Sequence, residues 1–255
     1  MLVNKYRRRF YRKWIHTNDL FRQHLCVEET DLDILSDIAL KGSFLKEKVL
    51  FYRQQIKDYI LKDKRFLVAL KPLSVSIDAP KIIKDMAEAS KVAGVGPMAA
   101  VAGAVAQYLG EDILREGAKE VIIENGGDIF LEIKKMRVVG IYAGETKFSG
   151  RLFLKIRPQV GVRGICTSSA TVSHSLSFGN ADAVTILAKD AILADAVATS
   201  ACNRIKTELD FEKAVDFVKK IRGVLGIVVI LKDKLASWGK AIEFVEKGGK
   251  GYAHG

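Results

Sequence analysis

Cysteine is scarce in this chain of 255 residues, and the three present, Cys26, Cys166 and Cys202, lie far apart with no CxxC spacing. An odd, scattered set implies neither a zinc site nor a disulfide framework, and it fits a reducing compartment. No apolar run follows the basic N-terminus, so no signal peptide is expected, and Leu25-Cys26 lacks the hydrophobic stretch of a lipoprotein signal. A cytoplasmic location is therefore expected. Also missing are a GK[ST] ending, which excludes a Walker loop, and a GxSxG elbow, which excludes that class of serine nucleophile. Without internal repeats or a Pro- or Ser-rich linker, residues 1–255 are expected to form one unit, with a basic arm at 1–14 and a mobile tail at 248–255.

A long lipid-compatible run is lacking too. Residues 92–110, VAGVGPMAAVAGAVAQYLG, carry no charge, but four glycines, a proline, a glutamine and mostly alanine make their transfer into lipid unfavourable. A buried, tightly packed helix is the reading, and no membrane partner is expected.

What is present is an apolar half and an excess of cations. Apolar residues make up 49% of the chain, enough to bury a core and to exclude a disordered protein. The formal charge is +11, with 41 Lys+Arg against 30 Asp+Glu. Six of those cations, Lys5, Arg7, Arg8, Arg9, Arg12 and Lys13, fall in residues 5–13 with no acid among them. The remaining 35 cations against 30 acids leave +5. Aromatics interleave this arm at Tyr6, Phe10, Tyr11 and Trp14, a pattern suited to phosphates and stacked bases. It equally describes a segment whose aromatics dock on the body while its charges stay solvated, which is the favoured reading. Nucleic acid is not the expected partner.

Apolar spacing predicts helices over 43–60, from Asp78-Pro80 onwards, over 97–115, 190–205 and 211–221. Strands are expected at 66–70, 121–123, 129–133, 138–142, 152–156, 183–187 and 226–231, with LASWG and AIEFVE forming a closing hairpin. Helices grouped early and late around consecutive strands indicate an α+β fold with a largely antiparallel sheet packed with helices.

Four places can carry chemistry. Glu124-Asn125-Gly126-Gly127-Asp128 joins two strand-like runs, and its paired glycines allow left-handed geometry and a close ligand approach; the same residues describe an ordinary hairpin. Gly94-Val95-Gly96-Pro97 opens an uncharged helix whose free amides suit a phosphate, or is a turn between packed helices. Residues 164–181, GICTSSATVSHSLSFGNA, combine hydroxyls with His174, which suits a phosphate-bearing ligand and one proton transfer. Asp195 and Thr199, four apart on a helix, share one face among small apolar neighbours; an acid there needs a partner, a cap to make or a cation, and Mg²⁺ suits so few oxygen ligands.

These motifs, in this order, resemble the ApbE-like superfamily, and most closely its branch called uncharacterised protein family 0280. The resemblance runs through Thr30-Asp31-Leu32, Ala79-Pro80, AGVGPMAAVAGAVA (93–106), ENGGDIF (124–130), IYAG (141–144), the 164–184 block and ADAVATSACN (194–203). It implies the T-fold type of α+β architecture and an Mg²⁺-dependent FAD:protein FMN transferase, or an enzyme that hydrolyses FAD. By the resemblance, Gly126, Gly127 and Asp128 contribute to the flavin-nucleotide pocket and Thr167, Ser168 and Ser169 match its hydroxyl loop; Asn125 and Thr171, beside them in the sequence, are further cofactor-binding candidates. The resemblance further implies that Asp195 and Thr199 hold the metal, and His174 is the candidate proton acceptor. A homodimer is a reasonable expectation on the same basis.

The chain departs from the transferases at three points. No proline follows the histidine, where Ser175-Leu176-Ser177-Phe178-Gly179 stands, Gln107-Tyr108 replaces a Lys-Gly pair, and the long N-terminal substrate-binding segment is not recognisable. The leading reading is a protein that takes FAD, FMN or another phosphorylated small molecule with Mg²⁺ and cleaves or transfers at a pyrophosphate. The alternatives are a non-catalytic nucleotide-binding or regulatory protein, and a nucleic-acid-binding protein using the arm.

Overall fold

A computed structural model describes residues 12, 14, 17–171 and 178–246. His174, the tail at 248–255 and the basic arm other than Arg12 and Trp14 lie outside these residues. The chain opens with a hairpin of β1 (Phe21–Val27) and β2 (Thr30–Ser36), followed by α1 (Gly42–Lys62), α2 (Arg65–Val68) and α3 (Lys81–Ala93). A 3-10 turn over Pro97–Ala100 leads into α4 (Val101–Arg115). The middle holds β3 (Val121–Asn125), β4 (Asp128–Glu132), β5 (Arg137–Gly140), β6 (Leu152–Ile156), β7 (Gly164–Ser168) and β8 (Ala183–Ala188). Next come α5 (Ala191–Asn203), α6 (Phe211–Lys219), β9 (Val224–Leu231), β10 (Lys234–Trp238) and β11 (Phe244–Glu246).

The fold is α+β. Eight strands form an antiparallel sheet in the order β1-β2-β3-β4-β7-β8-β9-β10, and β11-β6-β5 form a second sheet. Inside its two exposed edge strands, β1 and β10, the large sheet is buried on both faces, so strands such as β3, β8 and β9 read as nearly continuous apolar runs; all six residues of β8 are buried. Because successive side chains alternate, each strand feeds two cores. Leu32, Ile34, Ile123, Phe130, Cys166 and Ile186 pack against the helices. Leu35, Ile122, Ile129, Ile165 and Leu187 pack on the other face, with Val139 of β5 and Leu154 of β6. At roughly 1.5–3 kcal/mol for each large apolar side chain taken fully out of water, these two faces dominate the stabilisation.

Several expectations are corrected. Residues 66–70 are not a strand: Arg65–Val68 form one helical turn, closed by the Ala69 amide on the Arg65 carbonyl at 2.8 Å, with Phe66 buried and Leu67 and Val68 exposed; Gly96 packs against the Ala69 carbonyl, where a Cβ would lie 1.6 Å from the oxygen. The segments 235–239 and 241–246 do not pair with each other; β10 pairs with β9, and β11 joins β6 in the other sheet. Residues 164–168 are a strand and not loop, since Ile165 and Cys166 face opposite cores. Asp78 does not cap α3: its carboxylate accepts from the Ser76 hydroxyl, and Pro80 stands at the N-cap.

The uncharged stretch 92–110 is a packed core element. α3 ends at Gly94 (φ 75°), whose amide bonds to the carbonyl of Ser90, and the chain bends 103° into the next helix. Among the described residues no single helix is long and apolar enough to cross a membrane.

Candidate site at the end of the large sheet

The β3–β4 connection is a two-residue hairpin turn in which Gly126 (φ 72°) and Gly127 (φ 105°) both take left-handed geometry. Positive φ at both central residues is the primed turn that matches strand twist, so the glycines are required by the backbone. Asn125 and Asp128 are the closing pair. Their alternation places both on the helix-facing side of the sheet. Asn125 Nδ2 donates to the carbonyl of Ala102 in α4 at 3.0 Å. Asp128 pairs across the strands with Cys166 of β7.

One residue further along α4, the Gly103 amide donates to Asp195 Oδ2 at 2.8 Å. A helix leaves its first amides without intrahelical acceptors, and a carboxylate from a neighbouring helix here receives one. The two helices return the favour, since Gln107 Oε1 accepts from the amides of Ala191 (2.9 Å) and Ile192 (3.4 Å) at the start of α5. Their approach requires glycine: a Cβ on Gly103 would stand 2.4 Å from the Ala191 carbonyl oxygen. α5 starts at Asp190, whose side chain accepts from the Leu193 amide at 2.7 Å. At the turn read from sequence as a phosphate cradle, Gly94–Pro97, the Val95 amide already donates to the Ser90 carbonyl, and the Ala99 amide just beyond it to the Gly96 carbonyl.

Asp128 and Asp195 thus meet where the sheet end faces α4 and α5. Burial pushes the Asp195 carboxyl up to about 7, against the pull of the Gly103 and Ala102 amides. Asp128 is raised well above the usual carboxylate range, first by burial, then by the charges of Asp195 and Glu124. The Cys166 thiol is raised too, by burial and by both acids. Two carboxylates in such surroundings resist ionising together unless a cation joins them. Thr199, half-buried, lies one turn beyond Asp195 on α5. Carboxylate and hydroxyl oxygens are the donor set of a hard divalent cation, so these residues fit Mg²⁺. Among the described residues no three His, Cys, Asp or Glu side chains gather as a metal-holding group, which leaves water and ligand oxygens to complete such a shell.

The hydroxyl residues separate. Ser168 and Ser169 are buried at the end of β7. Thr167 alternates to the face away from the helices and pairs its hydroxyl with that of Thr185 at 2.9 Å, so only its backbone approaches Gly127. Thr171 is exposed; its amide donates to Ser169 Oγ at 3.2 Å, and its hydroxyl to Asp182 Oδ1 at 3.1 Å. The far side of this loop is tied to the end of α5, where the Phe178 amide donates to Asn203 Oδ1 and the Asn180 amide to the carbonyl of Ile205. Beside Thr171 opens a groove of about 530 Å³ whose lining includes Asp182, Lys206, Lys232 and Lys234. Asp182 precedes β8, Leu231 ends β9 and Lys234 starts β10, so groove and turn share one end of the large sheet.

Sequence reasoning passed over Glu124 as a site residue. Its side chain is almost fully buried on the face opposite the helices; Oε1 accepts from the Gly127 amide at 2.7 Å, and Oε2 from Arg12 Nε at 2.6 Å. Its place in ENGGD, one residue before the turn, was the available signal.

A family model described as AbpE bacteria matches residues 12–235. A UPF0280 protein of Methanocaldococcus jannaschii is 42% identical over 233 residues, covering 89% of this chain and 93% of that relative. A UPF0280 protein of Methanocella arvoryzae is 40% identical over 219 residues, covering 86% and 89%. Among solved structures, the flavin transferase ApbE from Vibrio cholerae superposes with a TM-score of 0.57 at 12% identity, covering 86% of this chain and 97% of that one.

Proposed function

The chain belongs to the family described as AbpE bacteria, together with the UPF0280 proteins, and from that premise we propose that it binds a flavin nucleotide with Mg²⁺ and cleaves or transfers at the pyrophosphate. The observation that carries this reading is the pair of half-buried Asp128 and buried Asp195, each pushed toward its neutral acid at a site that also presents a glycine turn and hydroxyls. Asp195 and Thr199 would hold the metal, with Asp128 beside them. Mg²⁺ there would polarise a phosphoryl oxygen and offset the negative charge that develops on it.

The chain's own groups divide the remaining work. Asn125, anchored on α4, and the Gly126–Gly127 turn fix the wall against which the ligand lies. Thr171, with Ser169 buried behind it, stands at the edge of the adjoining groove, where Lys206 and Lys232 would meet the anionic end of the ligand beside the carboxylates of Asp182, Glu208 and Asp233. His174 is proposed as the proton acceptor. A binding-only role is the second reading, and one observation favours it: Gln107, standing where the transferases carry a lysine-glycine pair, is engaged in capping α5.

The test is incubation of purified protein with FAD and Mg²⁺, or with EDTA, followed by chromatography for FMN and AMP and by a thermal shift. Cleavage supports the enzyme, stabilisation without products supports the binding protein, and neither outcome overturns both. An oligonucleotide titration across a salt series separates these from the nucleic-acid reading.

A further inference from the structure

The basic arm enters the body at one described cation, Arg12, whose side chain is 11% exposed. Nε donates to Glu124 Oε2 at 2.6 Å, Nη1 to Asp31 Oδ1 at 2.9 Å, and Nη2 to the main-chain carbonyl of Asp31 at 2.7 Å. The Arg12 carbonyl in turn accepts from Arg22 Nη2 at 2.7 Å, and Arg22 also grips Asp33 through Nε and Nη2. The arm is thus held at a defined point against β2 and the end of β3.

Glu124 divides its two oxygens between Arg12 and the Gly127 amide. Gly127 is the left-handed residue immediately before Asp128. We infer that Arg12 is a positioning residue for the candidate site: through Glu124 it fixes the Gly126–Gly127 turn from behind, and so sets how Asn125 and Asp128 are presented on the helix-facing side. The chemistry supports this. A planar guanidinium with several fixed donors holds its acceptors in one arrangement, and the Glu124 carboxylate it grips is the one that accepts from the Gly127 amide. Arg12 also balances the negative charges of Asp31 and Glu124 on the face behind the site. The functional half of this inference rests on the nucleotide-binding reading; the conformational half does not.

The experiment compares the full chain with Arg12→Met and Arg12→Lys, by hydrogen exchange at amide resolution and by titration with Mg-ADP and with FAD plus Mg²⁺. Arg12→Met is expected to raise exchange of the Gly127 amide at least tenfold, to leave β8 and β9 at the wild-type rate, and to weaken Mg-ADP roughly tenfold. Arg12→Lys, which keeps one charge-assisted bond, is expected to recover part of both. Unchanged exchange at Gly127, or a uniform rise across the whole sheet, overturns the inference. If the wild type binds neither probe, the nucleotide reading fails while the exchange data still decide whether Arg12 holds the turn. If the wild type binds both probes and Arg12→Met binds them equally well, the positioning role fails alone.

Discussion

Asp195 on α5 accepts the amide hydrogen of Gly103 on α4 at 2.8 Å, so the acid best suited to hold a metal is also a cap for a neighbouring helix. A carboxylate buried among alanines is retained only where it has such work, and here it has both a donor to satisfy and a second acid, Asp128, close enough to perturb.

The close approach of these helices gives the first expected outcome. Gly103→Ala places a methyl 2.4 Å from the Ala191 carbonyl oxygen and 2.9 Å from Asp195 Cβ, and must part the helices. A loss of about 1–3 kcal/mol in urea unfolding is expected, with weaker Mg²⁺-dependent ligand binding. A variant as stable as the wild type would show that the packing yields there.

Asp195 also sets a pH dependence. Its carboxyl sits at about 7 in the folded chain, against 3.8 for the ordinary side chain. The folded state therefore keeps a proton that the unfolded state releases. This contribution to stability is complete below pH 3.8 and is lost as pH rises towards 7. In EDTA the urea midpoint should fall over that interval, Asp195→Asn should flatten the fall, and Mg²⁺ should restore stability near pH 8. A wild-type midpoint that rises over the same interval in EDTA, with no change in Asp195→Asn, would contradict the assignment.

Trp14 tests the arm. Its ring lies edge-on to Tyr142 and Phe153, at 6.1 Å between centroids in each case, over glycines at 140 and 150. Trp14→Ala is expected to cost about 2–4 kcal/mol, with no change in any salt-dependent oligonucleotide binding. Loss of oligonucleotide affinity at unchanged stability would return the arm to nucleic acid.

For His174 the expectation follows from its residue type alone. His174→Asn should slow FAD cleavage by roughly 10²–10⁴ while leaving affinity within about threefold, as removal of an acid–base group does. Equal rates would reassign the proton transfer.

The α+β class and most elements are legible in the sequence, because apolar alternation and helical spacing record burial directly. Residues 66–70 mislead, since a short apolar run fits a strand or a helical turn equally, and here the Ala69 amide closes a turn on the Arg65 carbonyl. The pair of acids is half legible: the Asp195–Thr199 spacing marks a face, but that Asp128 shares it depends on strand register. Thr167 shows the converse, since a hydroxyl within the right motif faces the wrong side of the sheet once residues 164–168 are a strand. The link from Arg12 to Gly127 joins residues more than a hundred positions apart, and no local pattern encodes it.

The central claim is that Asp195 couples a divalent cation to a phosphorylated ligand. Its most direct test is the FAD affinity of the wild type and of Asp195→Asn, each measured with Mg²⁺ and with EDTA. Tighter binding with Mg²⁺ in the wild type, and no difference between the two conditions in Asp195→Asn, is the predicted result. Full Mg²⁺-dependent affinity in Asp195→Asn would contradict it.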